Sequence, residues 1–152
     1  MMIKISQLEL AKYIAEKAFA NKKDKGGNPY MNHINYVVSN SVRCGGNSEE
    51  VQTVAYLHDL LEDCPEWNES TLRVLFTTDV VDAVVLLTKK PDQSYPEYIA
   101  QLADNVICYD VKLADLKHNL DVSRLHDKEL NQGDLNRLNK YLNAYSFLLQ
   151  NS

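Results

Sequence analysis

Residues 53–63 read TVAYLHDLLED, and their pattern predicts one helix. Apolar side chains cover most of its directions, which is typical of a buried helix. Its last two turns nevertheless carry four ionisable residues, His58, Asp59, Glu62 and Asp63. Residues three and four apart share a helix face, so His58 lies above Glu62 and Asp59 above Asp63. Carboxylates on a buried helix are costly unless a partner neutralises them, and a metal cation would satisfy an adjacent histidine and aspartate.

The histidine and aspartate also have a simpler interpretation, a core histidine beside a solvated acidic helix end. A second imidazole elsewhere in the chain favours the metal site. Residues 29–43, PYMNHINYVVSNSVR, predict a helix that ends at Gly45-Gly46. His33 lies on this helix one turn before Val37. A lone histidine in such a place is more often structural, but it supplies the imidazole that the His58–Asp59 pair lacks.

A third buried helix also carries polar residues among apolar ones. Within DVKLADLKHN, residues 110–119, Asp115 and Asn119 are four apart on one face, and Lys112 precedes Asp115 by three. A carboxylate between leucine and alanine side chains needs a partner. The candidate ligands, two imidazoles and two carboxylates, are His33, His58, Asp59 and Asp115. This set suits a divalent transition metal such as manganese, iron or zinc.

Apolar periodicity predicts helices in the rest of the chain as well. The segments are 6–20, 70–76, 79–89, 95–108 and 134–149. Segment 79–89 is rich in β-branched residues, but its acidic start and its helical neighbours favour a helix over a strand. In the last segment one packing face is predicted, with no chemistry assigned to it, formed by Leu135, Leu138, Leu142, Tyr145 and Leu149. His118 and His126 are interpreted as peripheral.

Length and composition indicate one all-α domain over residues 1–152. The chain is 45% hydrophobic and 24% charged, which is ordinary for a globular protein. With 16 basic and 21 acidic residues, its net charge of −5 argues against a nucleic-acid polymer as partner. Three cysteines without a pairing pattern, and no apolar run long enough for a membrane span, favour a cytoplasmic protein. The sequence predicts no particular oligomeric state.

Four motifs together resemble a known enzyme family. They are GNPYMNH at 27–33, HDLLED at 58–63, LTK at 87–89 and VKLADLKHN at 111–119. The order of ligands resembles the HD superfamily of metal-dependent phosphohydrolases. The motifs are most similar to the hydrolase domain of RelA/SpoT-type alarmone enzymes, from about residue 8 to residue 149. A histidine–aspartate pair alone is a weak motif, whereas four motifs in order are a strong one.

The resemblance implies a single all-helical HD domain with a buried metal site between helices. It implies removal of the 3′-pyrophosphate from guanosine tetra- or pentaphosphate, which releases GDP or GTP. Manganese is the expected metal, with iron or zinc as alternatives, and His33, His58, Asp59 and Asp115 are the implied ligands. The resemblance makes Glu62 and Asp63 catalytic; one of them would orient a water or carry its proton, and the sequence does not separate their roles.

The expected partner is a small phosphorylated nucleotide. Candidate substrate-binding residues are Lys23, Lys25, Tyr30, Lys112 and Asn119, and the lysines could neutralise phosphate charge. The family usually has a base-contacting arginine shortly before the PY motif. Residues 22–25 here read KKDK, and lysine cannot provide the same planar stack. This departure keeps two alternatives open: the same fold acting on another nucleotide, such as a nucleoside monophosphate or NADPH, or a non-catalytic nucleotide-binding module.

Overall fold

The computed structural model describes residues 4–41, 48–125 and 129–151. The α-helices of these ranges are α1 (Gln7–Ala18), α2 (Tyr30–Asn40), α3 (Ser48–Leu57), α4 (Leu60–Asp63), α5 (Glu69–Leu75), α6 (Thr78–Leu87), α7 (Tyr95–Ala103), α8 (Val106–Asn119) and α9 (Gln132–Gln150). A 3₁₀ turn, Val122–Leu125, follows α8. The described residues contain no strand, only one isolated bridge between Lys23 and Pro29, so the all-α prediction is confirmed.

Helix α3 occupies the centre of the molecule. It packs against α1, α2, α6 and α8. Val54, Ala55 and Leu57 have no solvent exposure. Burying a valine or leucine side chain stabilises the fold by about 1.5–3 kcal/mol. The last turn of α3 is therefore held rigidly at the point where the ionisable residues follow it.

Two helix boundaries differ from the prediction. Residues 53–63 do not form one helix, because α3 ends at Leu57 and α4 begins at Leu60. Residues 95–108 are likewise divided, since α7 ends at Ala103 and α8 begins at Val106. The side chain of Asn105 accepts a hydrogen bond from the N–H of Cys108, which starts α8 with a side-chain cap. The predicted apolar pattern continues through both breaks and so concealed them.

The predicted helix from residue 79 is confirmed as α6, despite its valines. Helix α2 ends at Asn40, and the Gly45-Gly46 stop signal lies outside the described residues. No helix within the described ranges is both long enough and apolar enough to cross a membrane.

The predicted packing face of the last helix is only partly right, because Tyr145 packs against the core but three of the leucines are exposed. Leu135, Leu142 and Leu149 are 47%, 52% and 49% exposed. The side of α9 that faces the core instead buries Ala144 and Leu148. The error arose because the face was chosen from leucine spacing alone, whereas the structure packs α9 against α7 and α8 through a side that buries Ala144 and Leu148.

Candidate active site

Four ligand atoms converge between the helices. His33 comes from α2, His58 and Asp59 from the turn between α3 and α4, and Asp115 from α8. One ligand atom from each residue lies within 4.8 Å of all the others. The Nε2 atom of His33 is 2.9 Å from Oδ1 of Asp115, and Nε2 of His58 is 3.1 Å from Oδ2 of Asp59. The side chains are 2–14% exposed, so this buried group could hold a divalent metal ion.

The break between α3 and α4 explains how two adjacent residues reach the same point. On a continuous helix, consecutive side chains diverge by about 100° around the axis. Asp59 leaves helical geometry, with φ −100° and ψ 0°. The turn therefore directs both His58 and Asp59 at the cluster, and α4 resumes directly afterwards. The difference from the predicted single helix is thus what assembles the site.

The orientation of His58 leaves one ring nitrogen for a metal. Its Nδ1 atom lies 2.7 Å from the carbonyl oxygen of Ala55, which can only accept, so Nδ1 carries a proton. Nε2 is buried and, among the described residues, has no partner in hydrogen-bonding geometry. Burial lowers the pKa of His58, but the carboxylates of Asp59 and Asp115 outweigh burial and raise that pKa well above its ordinary value. The raised pKa favours a second proton on the ring, at Nε2, and a metal cation bound to Nε2 would replace that proton.

His118 is buried against the side of the His33 ring that faces away from the cluster. The prediction that His118 is peripheral is therefore wrong. It is 9% exposed, and its Nδ1 lies 2.7 Å from Nδ1 of His33. Burial, then the charges of Arg124 and His33, lower the pKa of His118 to about 4. A neutral His118 can accept the Nδ1 proton of His33, which leaves Nε2 of His33 directed at the cluster. The sequence did contain a signal, since His118 is three residues after Asp115. His126 lies outside the described residues.

Three residues predicted to bind substrate contact the carboxylates of the cluster. The Tyr30 hydroxyl donates to Oδ2 of Asp59 at 2.6 Å. Lys112 Nζ lies 2.8 Å from Oδ2 of Asp115, and Asn119 Nδ2 donates to Oδ1 of Asp115 at 3.0 Å. Burial raises the pKa of Asp115, but Lys112 and the two histidines lower that pKa well below its usual range. Both carboxylates are therefore oriented and ionised, although all three partners also line the cavity described below.

Glu62 and Asp63 make different contacts in the structure. The N–H of Lys89 donates to Oε1 of Glu62 at 3.1 Å. Desolvation, with a contribution from the Asp59 carboxylate, raises the pKa of Glu62 against the lowering effect of that N–H. Asp63 instead forms an ion pair with Lys22 at 2.9 Å. The two carboxylates therefore have different partners, a backbone N–H for Glu62 and the ammonium group of Lys22 for Asp63.

A cavity of about 660 Å³ lies over the cluster. Its lining includes the predicted Lys23 and Lys25, together with residues of α9 that the sequence interpretation missed, Asp134, Arg137, Leu138, Lys140 and Tyr141. Lys140 Nζ lies 4.7 Å from the centre of the Tyr95 ring. Desolvation and then neighbouring cations, Lys112 first, lower the pKa of Lys140. Positively charged side chains therefore lie close together on the α9 side of the cavity, and a bound anion would reduce the repulsion between them.

The loop at residues 22–25 contains no arginine, but Arg124 contacts it from a distant part of the chain. Arg124, from the 3₁₀ turn, places Nη2 2.9 Å from Oδ2 of Asp24 and also lines the cavity. The side-chain amide of Asn28 donates to the Arg124 carbonyl at 3.2 Å. Gly26 allows this contact, because a Cβ there would lie 1.9 Å from the Arg124 carbonyl oxygen. The guanidinium comes from about 100 residues away, so local sequence did not reveal it.

Comparison with known proteins supports the fold. No protein-family model matches the chain, and no curated protein matches its sequence. One solved structure is described as a metazoan ortholog of SpoT that hydrolyses ppGpp and plays a role in starvation responses. It shares 21% identity with this chain and has a TM-score of 0.73, covering 98% of this chain and 88% of that one. The all-α bundle of this chain therefore shares its fold with that SpoT ortholog, and the buried histidine–aspartate group lies within this fold.

Proposed function

We propose that this chain is a single-domain, metal-dependent phosphohydrolase that removes the 3′-pyrophosphate of guanosine tetra- or pentaphosphate. The products are GDP or GTP and pyrophosphate. The observation that carries the proposal is the four-ligand cluster lying beneath a cavity rich in lysine and arginine. The SpoT-like fold and the four sequence motifs support the choice of an alarmone as substrate.

The residues of the cluster fit a divalent metal. Nε2 of His58 is buried without a hydrogen-bonding partner among the described residues, and two oriented carboxylates supply the balancing charge. His33, His58, Asp59 and Asp115 would hold the ion, and we propose manganese, with iron or zinc as alternatives. A bound divalent metal supplies Lewis acidity, which acidifies water and withdraws charge from a phosphate group.

Glu62 is proposed as the proton acceptor. The reaction joins a water oxygen to the phosphorus attached to the ribose 3′ oxygen and breaks the bond between that phosphorus and the 3′ oxygen. Glu62 takes a proton from the water as the water oxygen bonds to phosphorus, and it returns a proton to the departing 3′ oxygen, which ends as a hydroxyl. Desolvation raises the pKa of Glu62, which makes this carboxylate a stronger base than an exposed glutamate. Asp63 takes a positioning role through its ion pair with Lys22.

The cavity can receive a nucleotide with several phosphates. Its volume of about 660 Å³ lies in the usual range of small-molecule sites. Lys25, Lys89 and Lys140 line it, and no carboxylate pairs with their ammonium groups among the described residues. Positive charge from these side chains would bind the phosphates that are not cleaved. We propose that Arg124, which pairs with Asp24 beside the Lys22–Lys25 loop and lines the cavity, contacts the base from that side.

The test is an incubation of purified, manganese-loaded protein with guanosine tetraphosphate, with products resolved by ion exchange. Wild type is expected to release GDP and pyrophosphate. Asp59→Ala should lose turnover together with metal, whereas Glu62→Gln should lose turnover and retain one metal per chain. The proposal fails if wild type holds its metal and leaves the alarmone intact, or if Glu62→Gln turns over at the wild-type rate.

A second candidate is hydrolysis of another phosphorylated nucleotide, such as a nucleoside monophosphate or NADPH. The lysine loop without an arginine favours this candidate. A panel of nucleotides, assayed for both phosphate and pyrophosphate, separates the two. Phosphate from a monophosphate or NADPH, with no pyrophosphate from the alarmone, selects the second candidate. Tight alarmone binding without turnover in manganese, iron or zinc would instead indicate a nucleotide-binding module.

A further inference from the structure

Asp24 is an acidic residue in a loop that otherwise supplies positive charge to the cavity. Residues 22–25 read KKDK, and all four line the cavity. Lys23 and Lys25 are exposed, whereas the side chain of Asp24 is only 9% exposed. A carboxylate between two lysines weakens their attraction for an anion, so Coulomb interactions alone would disfavour an aspartate at this position.

The contacts of Asp24 give its carboxylate a different role. Its Oδ1 accepts hydrogen bonds from the N–H groups of Gly26 and Asn28, both at 2.9 Å, and its Oδ2 lies 2.9 Å from Nη2 of Arg124. Burial raises the pKa of Asp24, but the hydrogen bonds from Asn28 and Arg124 outweigh burial and lower that pKa below its ordinary value. The ionised carboxylate is thus used on both oxygens, one within the loop and one outside it.

Arg124 connects this carboxylate to the helix that carries a residue of the cluster. Its Nη1 donates to the carbonyl oxygen of His118 at 3.0 Å, and His118 lies on α8 together with Asp115. Asp24 and Arg124 are 100 residues apart in sequence. Their ion pair therefore fixes the loop relative to the cluster, which neither segment could do through local contacts.

We propose that Asp24 is a positioning residue for substrate binding, which through Arg124 holds Lys23 and Lys25 where they meet the uncleaved phosphates of a nucleotide. The inference rests on the proposed function for the nature of that ligand. A loop that is already ordered loses less conformational freedom when its lysines bind. Because Arg124 neutralises the carboxylate, the loop gains this order with little loss of attraction for phosphate.

The two effects that Asp24 can have on an anion differ in sign, and Asp24→Asn separates them. Asparagine keeps an oxygen that can accept from Gly26 and Asn28, but it loses the charge that pairs with Arg124. An aspartate that acted only as a nearby negative charge would give tighter anion binding when replaced. Because Asp24 positions the lysines, we expect binding to weaken by about 10-fold, the loss of one charge-assisted contact.

The probe is GDP, the expected product that carries the uncleaved phosphates, and its affinity for manganese-loaded protein is measured by calorimetry. Asp121→Asn is the matched control, because Asp121 also lines the cavity but its Oδ1 accepts from the N–H and hydroxyl of Ser123. This control should bind GDP at least as tightly as wild type. Manganese affinity should stay at the wild-type value in Asp24→Asn, since none of the contacts that Asp24 makes within the described ranges involves a cluster residue.

A double-mutant cycle with Arg124→Gln tests the route through the ion pair. Arg124→Gln alone should weaken GDP binding, and adding Asp24→Asn should then weaken it no further, because the carboxylate has already lost its partner. The proposal is overturned if Asp24→Asn binds GDP as tightly as wild type, if its loss is the same with and without Arg124, or if wild type does not bind GDP. A wild type that binds GDP and leaves the alarmone intact contradicts the proposed function alone, and the comparison of Asp24→Asn with wild type still decides this inference.

Discussion

The hydroxyl of Tyr30 is the most informative single atom to remove. It donates to Oδ2 of Asp59 at 2.6 Å, and burial together with Asp59 raises the pKa of this phenol, so it keeps the proton that it donates. A hydrogen bond to a charged group is worth about 1.5–3 kcal/mol. Since about 1.4 kcal/mol corresponds to a factor of ten, Tyr30→Phe should weaken metal binding by about 10- to 100-fold. The ring remains in place, so the change isolates the orientation of Asp59.

Tyr95→Phe is the matched control for that experiment. Tyr95 lines the same cavity, but its buried hydroxyl has no hydrogen-bonding partner among the described residues. Manganese affinity should be measured by calorimetry against a competing chelator for wild type and both variants. We expect the affinity of Tyr95→Phe to stay near that of wild type. Equal losses in the two variants, or no loss in Tyr30→Phe, would refute the argument that Tyr30 positions a metal ligand.

Three further predictions follow from contacts around the site. Lys112→Met removes one partner of a buried ion pair with Asp115, so the free energy of unfolding without metal should fall by about 3–5 kcal/mol in urea titrations; a loss below 1 kcal/mol would contradict this. Gly26→Ala should lower the thermal midpoint, because the new methyl group collides with the Arg124 carbonyl, and an unchanged midpoint would count against that contact. Apparent manganese affinity should rise from mildly acidic to mildly alkaline pH, because the raised pKa of His58 means that metal must displace a proton; a flat or falling profile would argue against His58 as ligand.

The sequence singled out the candidate ligands because each one violates a local rule. A carboxylate or imidazole within an apolar helical pattern needs a partner, and these residues lie on α2, on α8 and in the turn directly after α3, three helices that pack together. The structure brings all four predicted ligand atoms into one group. The grouping of these four residues could therefore be predicted from polar side chains in apolar helical patterns, without knowledge of how the helices are arranged.

The parts that escaped prediction depend on tertiary contacts. The turn at His58 and Asp59 interrupts an apolar pattern that continues on both sides of it. Arg124 reaches its loop through a contact between residues distant in sequence. The inner face of α9 was predicted only in part, because Tyr145 packs on the core whereas Leu135, Leu142 and Leu149 are exposed, and leucine spacing alone does not determine which side of a helix is buried. Arg137 and Lys140 of α9 line the cavity, and they were missed because the sequence did not indicate which side of α9 faces the cavity.

The central claim is that a metal held by the four-residue cluster drives removal of pyrophosphate from the alarmone. The most direct measurement is a titration of chelator-treated protein with manganese in the presence of guanosine tetraphosphate, recording pyrophosphate release. Release should be absent without metal and should reach a plateau as one equivalent per chain is bound. Full turnover by the metal-free protein, or no release after one equivalent has bound, would contradict the account.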